Sequence, residues 1–208
     1  MTIIVHHLEN SRSQRVLWLL EELELPYEVV RYERDRKTML APPELKRVHP
    51  LGKAPVIEDE GRVIAETGAI VEYLVEKGDG RLGPPGNRDA CLRYRHFLHY
   101  AEGSMMPPLF ALLVIGRLGI LGKPALKPVQ GMLDQHLDWL NSELATRPWF
   151  ACDSFTAADV MMSFPIEASR HRGGLGASRP HLIDWLERLH ARPAYGRALA
   201  VGGPYAYA

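Results

Sequence analysis

The sequence predicts an α/β domain followed by an all-α helical domain, and three observations carry that expectation. Short β-branched runs alternate with helical patterns only in the N-terminal part of the chain. The stretch 78–86 is rich in glycine and proline and lacks periodicity, so it reads as a connector. Beyond it the apolar patterns are helical. The expected division is residues 1–78 for the α/β domain, 79–87 for a linker and 88–208 for the helical domain.

Taken in order, Ile3-Ile4-Val5 reads as a buried strand and His6 to Ser11 as a loop. A helix follows with Val16, Leu19, Leu20 and Leu23 on one face, and Asn10, Ser11 and Ser13 are its candidate N-caps. Leu25-Pro26 stops that helix, and Tyr27 to Tyr32 forms a second strand, completing a βαβ unit. Residues 33–37 form a charged loop and 43–48 a short helix. Val56-Ile57 and Val63-Ile64-Ala65 flank a charged turn with glycine, which is a hairpin pattern. Ile70, Val71 and Leu74 then recur at helical spacing behind Thr67. Past the connector, helices are expected at 88 to about 116, 124–146, 156–171 and 179–191, with a last short one opened by Pro193. Thr156-Ala157-Ala158-Asp159 has the spacing of a capping box, in which side chains satisfy the free N–H groups of a helix start.

A chain of 208 residues can bury a sizeable core without staples. Its formal charge is zero, which gives no electrostatic case for nucleic acid or an anionic membrane. Cys91 and Cys152 lie far apart, without metal-type or Cys-x-x-Cys spacing, which fits a reducing compartment. The longest apolar stretch, 109–115, is too short to span a bilayer, so a soluble cytoplasmic protein is expected.

The chemistry is expected around 53–67. X-Pro is the common site of a cis peptide, and Ala54-Pro55 stands at a strand entry, where such a bond would bare the Ala54 backbone. Thr67 stands at a helix N-terminus, where free N–H groups attract anions, and Glu66 adds a carboxylate beside it. Together they suit a ligand with adjacent ammonium and carboxylate groups, such as an amino-acid head.

Pro50-Leu51-Gly52-Lys53-Ala54-Pro55-Val56, followed by Glu66-Thr67, resembles the glutathione-binding half of the cytosolic glutathione transferases. The resemblance implies a thioredoxin-like N-terminal domain and glutathione as co-substrate, with no other cofactor. It also implies that Ala54 before Pro55 pairs its backbone with the cysteinyl part of glutathione, that Glu66 and Thr67 hold the γ-glutamyl end, and that Lys53 can meet the glycyl carboxylate. The box at 156–159 and Arg192-Pro193-Ala194-Tyr195 match the family too, whereas Cys152 stands where the family pattern has glycine.

A transferase must favour thiolate over thiol. Lowering a thiol pKa by about two units takes roughly 2.7 kcal/mol. A helix N-terminus offers ~0.3 to 1 kcal/mol and a hydrogen bond to a charged group ~1.5 to 3 kcal/mol. A hydroxyl at a helix start supplies both. Ser11 lies four residues before Arg15, the spacing of the theta-like, serine-type branch, and is the first candidate; Ser13 is the alternative, and plain capping remains open for either. No tyrosine or cysteine occupies that place. The resemblance further implies a homodimer and an electrophile site on the helical domain, with Tyr100, Ser104 and Met106 as lining candidates. His96, His99 and Glu102 share a helix face, but no further ligands support a metal. The expected activity is conjugation of glutathione to an apolar electrophile. A non-enzymatic interaction module and a glutathione-dependent peroxidase are the alternatives.

Overall fold

The computed structural model describes residues 2–208 and divides into two compact units. The first comprises the chain up to Gly83 together with His190–Ala206 and Ala208; the second comprises Pro84–Leu189 and Tyr207.

The first unit is built on a mixed sheet of order β2-β1-β3-β4, with β1 at Ile3–Leu8, β2 at Tyr27–Tyr32, β3 at Val56–Asp59 and β4 at Arg62–Ala65. β1 runs parallel to β2 and antiparallel to β3. It is longer than its apolar run. His6, His7 and Leu8 continue the strand because β2 offers ladder partners as far as Tyr32. Strand alternation sends the two histidines to opposite faces. The His6 ring bonds the Tyr32 hydroxyl at 2.9 Å and Glu58 at 2.7 Å, while His7 meets Ser13 at 2.9 Å. The β3–β4 turn, Glu60-Gly61, has φ of 50° and 77°, the left-handed pair that lets a short loop follow the strand twist.

Helix α1, Ser13–Leu23, is buried along nearly its whole length and ends at Glu24 in the left-handed conformation, just before Pro26. Its second face is covered by α9, Pro193–Gly202. Trp18 meets Tyr195 edge-on at 5.2 Å, Arg192 forks onto Glu22 at 2.6 and 2.8 Å, and Arg197 reaches Glu21 at 2.6 Å. The last helix thus belongs to the first unit, where the sequence reading assigned all of 88–208 to a helical domain. Full burial of a leucine contributes ~1.5–3 kcal/mol, so a helix buried along nearly its whole length gains from a partner on each face. Helix α2, Leu45–Val48, and α3, Thr67–Lys77, complete the unit; Ile70, Val71 and Leu74 are buried.

The second unit holds α4, Arg88–Tyr100; α5, Met106–Arg117; α6, Lys123–Leu144; α7, Ala157–Arg172; and α8, Pro180–His190, whose last residue groups with the first unit. The sequence pattern suggests one continuous helix over 88 to about 116. Instead a π-helical turn at Ala101–Met105 separates α4 from α5. Pro107 and Pro108 follow it. Neither can donate an N–H to the preceding turn, and a wider turn there accommodates the missing bonds. By length and composition the run Arg88–Arg117 passes as a membrane span, but Tyr94, Phe97, Leu98, Ala101, Met105 and Leu109 are buried within the protein. Asp159 ties α7 to the preceding loop: its carboxylate accepts the N–H of Phe150 at 3.0 Å, the N–H and hydroxyl of Thr156 at 3.0 and 3.1 Å, and the Trp185 indole N–H at 3.4 Å. The capping box at 156–159 forms as expected.

Candidate functional site

The sheet and α1 bring Ser11, Ser13 and His7 into one buried cluster. Asn10 has a φ of 48°, which turns the chain between β1 and α1 so that Ser11 faces back over the helix start. Ser11 Oγ accepts the Ser13 backbone N–H at 3.1 Å and lies 2.7 Å from Ser13 Oγ. It therefore satisfies a free N–H of the first turn of α1 without being the residue that immediately precedes the helix. Ser13 Oγ also accepts the Leu8 N–H at 3.2 Å and stands 2.9 Å from His7 Nδ1. Burial and the Arg31 guanidinium lower the His7 pKa to about 4, so the ring is neutral at physiological pH.

The second group of candidates lies around β3, β4 and α3. The Ala54–Pro55 peptide is cis, as expected at this strand entry. Ala54 is half-buried, Pro55 buried and Lys53 exposed. Glu66 is exposed and holds φ 72° and ψ 122°, a conformation that costs a non-glycine residue on the order of 1–3 kcal/mol. Its carboxylate does not cap α3, and its backbone carbonyl takes the Ile70 N–H at 2.9 Å. Thr67 is the first residue of α3 and is buried. The outcome is an acid held in a strained conformation at a helix N-terminus that it does not use for its own capping.

The family models for the glutathione S-transferase N-terminal and C-terminal domains match residues 2–76 and 123–188. The chain belongs to the glutathione S-transferase family. Glutathione S-transferase 3 of Schizosaccharomyces pombe is 35% identical over 92% of this chain and 84% of its own length. Glutathione S-transferase 1 of Saccharomyces cerevisiae is 30% identical over 98% of both. Among solved structures, a glutathione S-transferase from Actinobacillus pleuropneumoniae shares 32% identity at a TM-score of 0.89, covering 99% of this chain and 95% of that one. The chain is accordingly an enzyme, a glutathione transferase.

In this transferase the helical-unit candidates have diverse settings. Tyr100 is half-buried, its hydroxyl bonds His136 Nδ1, and burial raises its pKa. Ser104 sits half-buried in the π-helical turn, and Met106 is buried. His96 stacks on Tyr100 and meets Phe97 and Trp139 edge-on, which accounts for its place on α4 as one of a group of packed rings. Among the described residues no cluster of three or more His, Cys, Asp or Glu is poised for a metal. The residue the sequence reading missed is His7, placed there in a loop, whose ring meets Ser13. Extending the alternation of Ile3 and Val5 by one more step would have put His7 on the α1 side of the sheet.

Proposed function

We propose that this transferase attacks an apolar electrophile with the glutathione thiolate, and that Ser11 stabilises the thiolate in the manner of the serine-type, theta-like branch. Glutathione lies along the β3 entry. The Ala54 backbone pairs with its cysteinyl part, Glu66 and Thr67 hold the γ-glutamyl ammonium and carboxylate, and Lys53 meets the glycyl carboxylate. Tyr100, Ser104 and Met106 of the helical unit line the electrophile's site. The thiol proton leaves to solvent, the sulfur forms the new C–S bond, and the leaving group departs with its electron pair. The enzyme works as a cytoplasmic homodimer in detoxification.

The observation that carries this reading is the state of Ser11. Its oxygen accepts the Ser13 N–H, which fixes the hydroxyl at the start of α1, and in its 2.7 Å contact with Ser13 Oγ either oxygen can donate, so the Ser11 proton can turn to a neighbouring anion. A charged hydrogen bond of ~1.5 to 3 kcal/mol, added to the helix terminus, meets the roughly 2.7 kcal/mol that ionisation requires. The test is Ser11→Ala, assayed with 1-chloro-2,4-dinitrobenzene across pH. Glutathione affinity should stay within about threefold while turnover at neutral pH falls about tenfold or more, the loss shrinking as the medium ionises the thiol unaided. An unchanged pH profile would remove Ser11 from the role. If calorimetry detects no glutathione affinity in the parent chain, the interaction-module alternative takes its place.

A further inference from the structure

The chain as a whole is neutral, with 25 basic and 25 acidic residues, but its charges are not evenly spread. From 103 to 133 there is no acidic residue, and the formal charges are those of Arg117, Lys123 and Lys127. None of the three has an ion pair among the described residues. The same stretch holds the two most exposed large apolar side chains of the described residues, Ile120 at 80% and Leu121 at 85%, with Leu118 at 53% beside them. They sit between α5 and α6, where a 3₁₀ turn spans Gly119–Gly122. Gly119 has a φ of 55°, and Gly122 packs so closely on α5 that a Cβ there would collide with the Ile115 carbonyl. The two glycines fold the connection tightly back, and the Leu121 N–H closes on the Leu118 carbonyl at 3.2 Å, so these apolar side chains are presented to solvent by a formed turn.

The cations bracket this tip. Arg117 directly precedes Leu118, and Lys123 follows Leu121 by two residues. Lys127, one turn further along α6, shares with Lys123 a cleft of about 470 Å³ that Leu126 also lines. The acid of that lining, Asp134, is engaged by Arg179 at 3.0 Å, which leaves the charge of the two lysines unanswered within the protein.

From this juxtaposition we infer that the tip between α5 and α6 docks on an anionic lipid surface, with Leu118, Ile120 and Leu121 entering the acyl boundary and Arg117, Lys123 and Lys127 meeting the headgroup phosphates. The two kinds of side chain answer the two layers they would meet. Apolar groups gain by leaving water for the acyl region, and cations within a Debye length of anionic headgroups are drawn to them. The long stems of lysine and arginine lie along apolar surface while their charged ends stay at the level of the phosphates. A small apolar insertion and a small basic patch are each too weak alone, and together they give reversible binding. The rest of the run Arg88–Arg117 does not insert, since Tyr94, Phe97, Ala101 and Leu109 are spent on the protein's own core. A second copy of the chain is a poorer occupant, because facing tips would set cations against cations with no acid anywhere in 103–133 to answer them. Nucleic acid would use the cations and leave the apolar tip in water.

The test is sedimentation of the full chain with vesicles of phosphatidylcholine containing about one-third phosphatidylserine, and with vesicles of phosphatidylcholine alone. The parent should bind the anionic vesicles about tenfold or more tightly than the neutral ones, and high salt should remove that preference. Lys123→Gln combined with Lys127→Gln should weaken binding to the anionic vesicles by about fivefold for each cation removed, and leave the neutral vesicles unchanged. Ile120→Ser combined with Leu121→Ser should weaken binding to both by about tenfold or more. These side chains are exposed, so the variants keep the parent's core. Leu121→Trp should bind as the parent does and gain fluorescence that brominated lipid quenches, beyond the response of the parent's own tryptophans. A parent that stays in the supernatant with anionic vesicles, serine variants that sediment as the parent does, or Leu121→Trp left unquenched would overturn the inference. So would a smaller solution mass of the doubly serine-substituted chain without lipid, which would assign the tip to a second copy.

Discussion

Two helix N-termini in this protein pair a threonine with an acid, and they use the acid in opposite ways. At α7, Asp159 is fully buried and its oxygens accept from two backbone N–H groups, the Thr156 hydroxyl and the Trp185 indole. At α3, Glu66 is exposed, held at positive φ, and leaves the helix uncapped by its side chain. The first arrangement has no lone pair to spare and stabilises the fold. The second leaves its carboxylate outside the capping of α3, at a cost in backbone strain. Saturation marks a structural terminus, and unspent bonding capacity is what the proposed glutathione grip draws on.

The largest effect should follow from breaking the saturated terminus. Asp159→Ala strands several buried donors at once, each costing on the order of 1–3 kcal/mol. A loss of more than about 3 kcal/mol is expected, visible as a drop of roughly 10 °C in Tm for a chain of this size. Thermal melts of the variant would check it. A drop under about 2 °C would mean that the α7 terminus is not what holds the 150–156 loop.

Acid titration sharpens the same contrast with the Ser11 cluster. The His7 pKa falls from 6.5 to about 4 in the folded chain, so below 6.5 the unfolded chain takes a proton that the native one refuses, and stability is lost as pH falls through that window. Burial pushes the Asp159 pKa from 3.8 up to about 6 against the pull of its donors. Its contribution runs the other way: it is fully present below 3.8 and lost as pH rises through about 6. Each is worth about 3 kcal/mol over its window, so in the parent chain the two nearly cancel between pH 6 and 4. His7→Asn removes one side of the balance. Denaturant unfolding of that variant should show stability climbing by up to about 3 kcal/mol on acidification from pH 6 to 4, where the parent stays nearly flat on account of these two groups. A variant as flat as the parent would show that His7 does not titrate as its burial requires.

The sequence made the α7 and α3 termini legible for different reasons. The box at 156–159 is local, since its bonding groups lie within one turn, and spacing alone specifies it. The candidate site at Glu66-Thr67 could be proposed because Ala54-Pro55 precedes it at hairpin distance, so two local signals reinforce each other. What stayed hidden was non-local. β1 extends through His6 and His7 because β2 and Glu58 satisfy them, and neither partner is near in sequence. Helix α9 returns to α1 through the Arg192–Glu22 fork and the Trp18–Tyr195 contact, which no periodicity could announce. The π-helical turn needed the carbonyl geometry ahead of Pro107, where the apolar pattern alone read as a continuous helix.

The smallest effect separates fold from function most cleanly, and it comes from the strained acid. In Glu66→Gly the backbone keeps its positive φ without a Cβ, so the strain at that residue is relieved; glycine's greater freedom in the unfolded chain offsets part of the gain. The Ile70 N–H still finds the carbonyl of residue 66, and α3 keeps its first bond. Stability should therefore rise by up to about 1 kcal/mol. Glutathione affinity should fall about tenfold, because the variant lacks the carboxylate proposed to meet the γ-glutamyl ammonium, and a charged hydrogen bond carries ~1.5 to 3 kcal/mol. Glu66→Ala is the control: it loses the carboxylate and retains the strain, so affinity falls equally while stability stays at the parental value. The two measurements, a denaturant midpoint and a calorimetric titration, must move in opposite directions in the glycine variant. If both fall together, Glu66 supports the helix in some way its exposed side chain does not reveal; if neither moves, the α3 terminus is not where the ligand's amino-acid head is held.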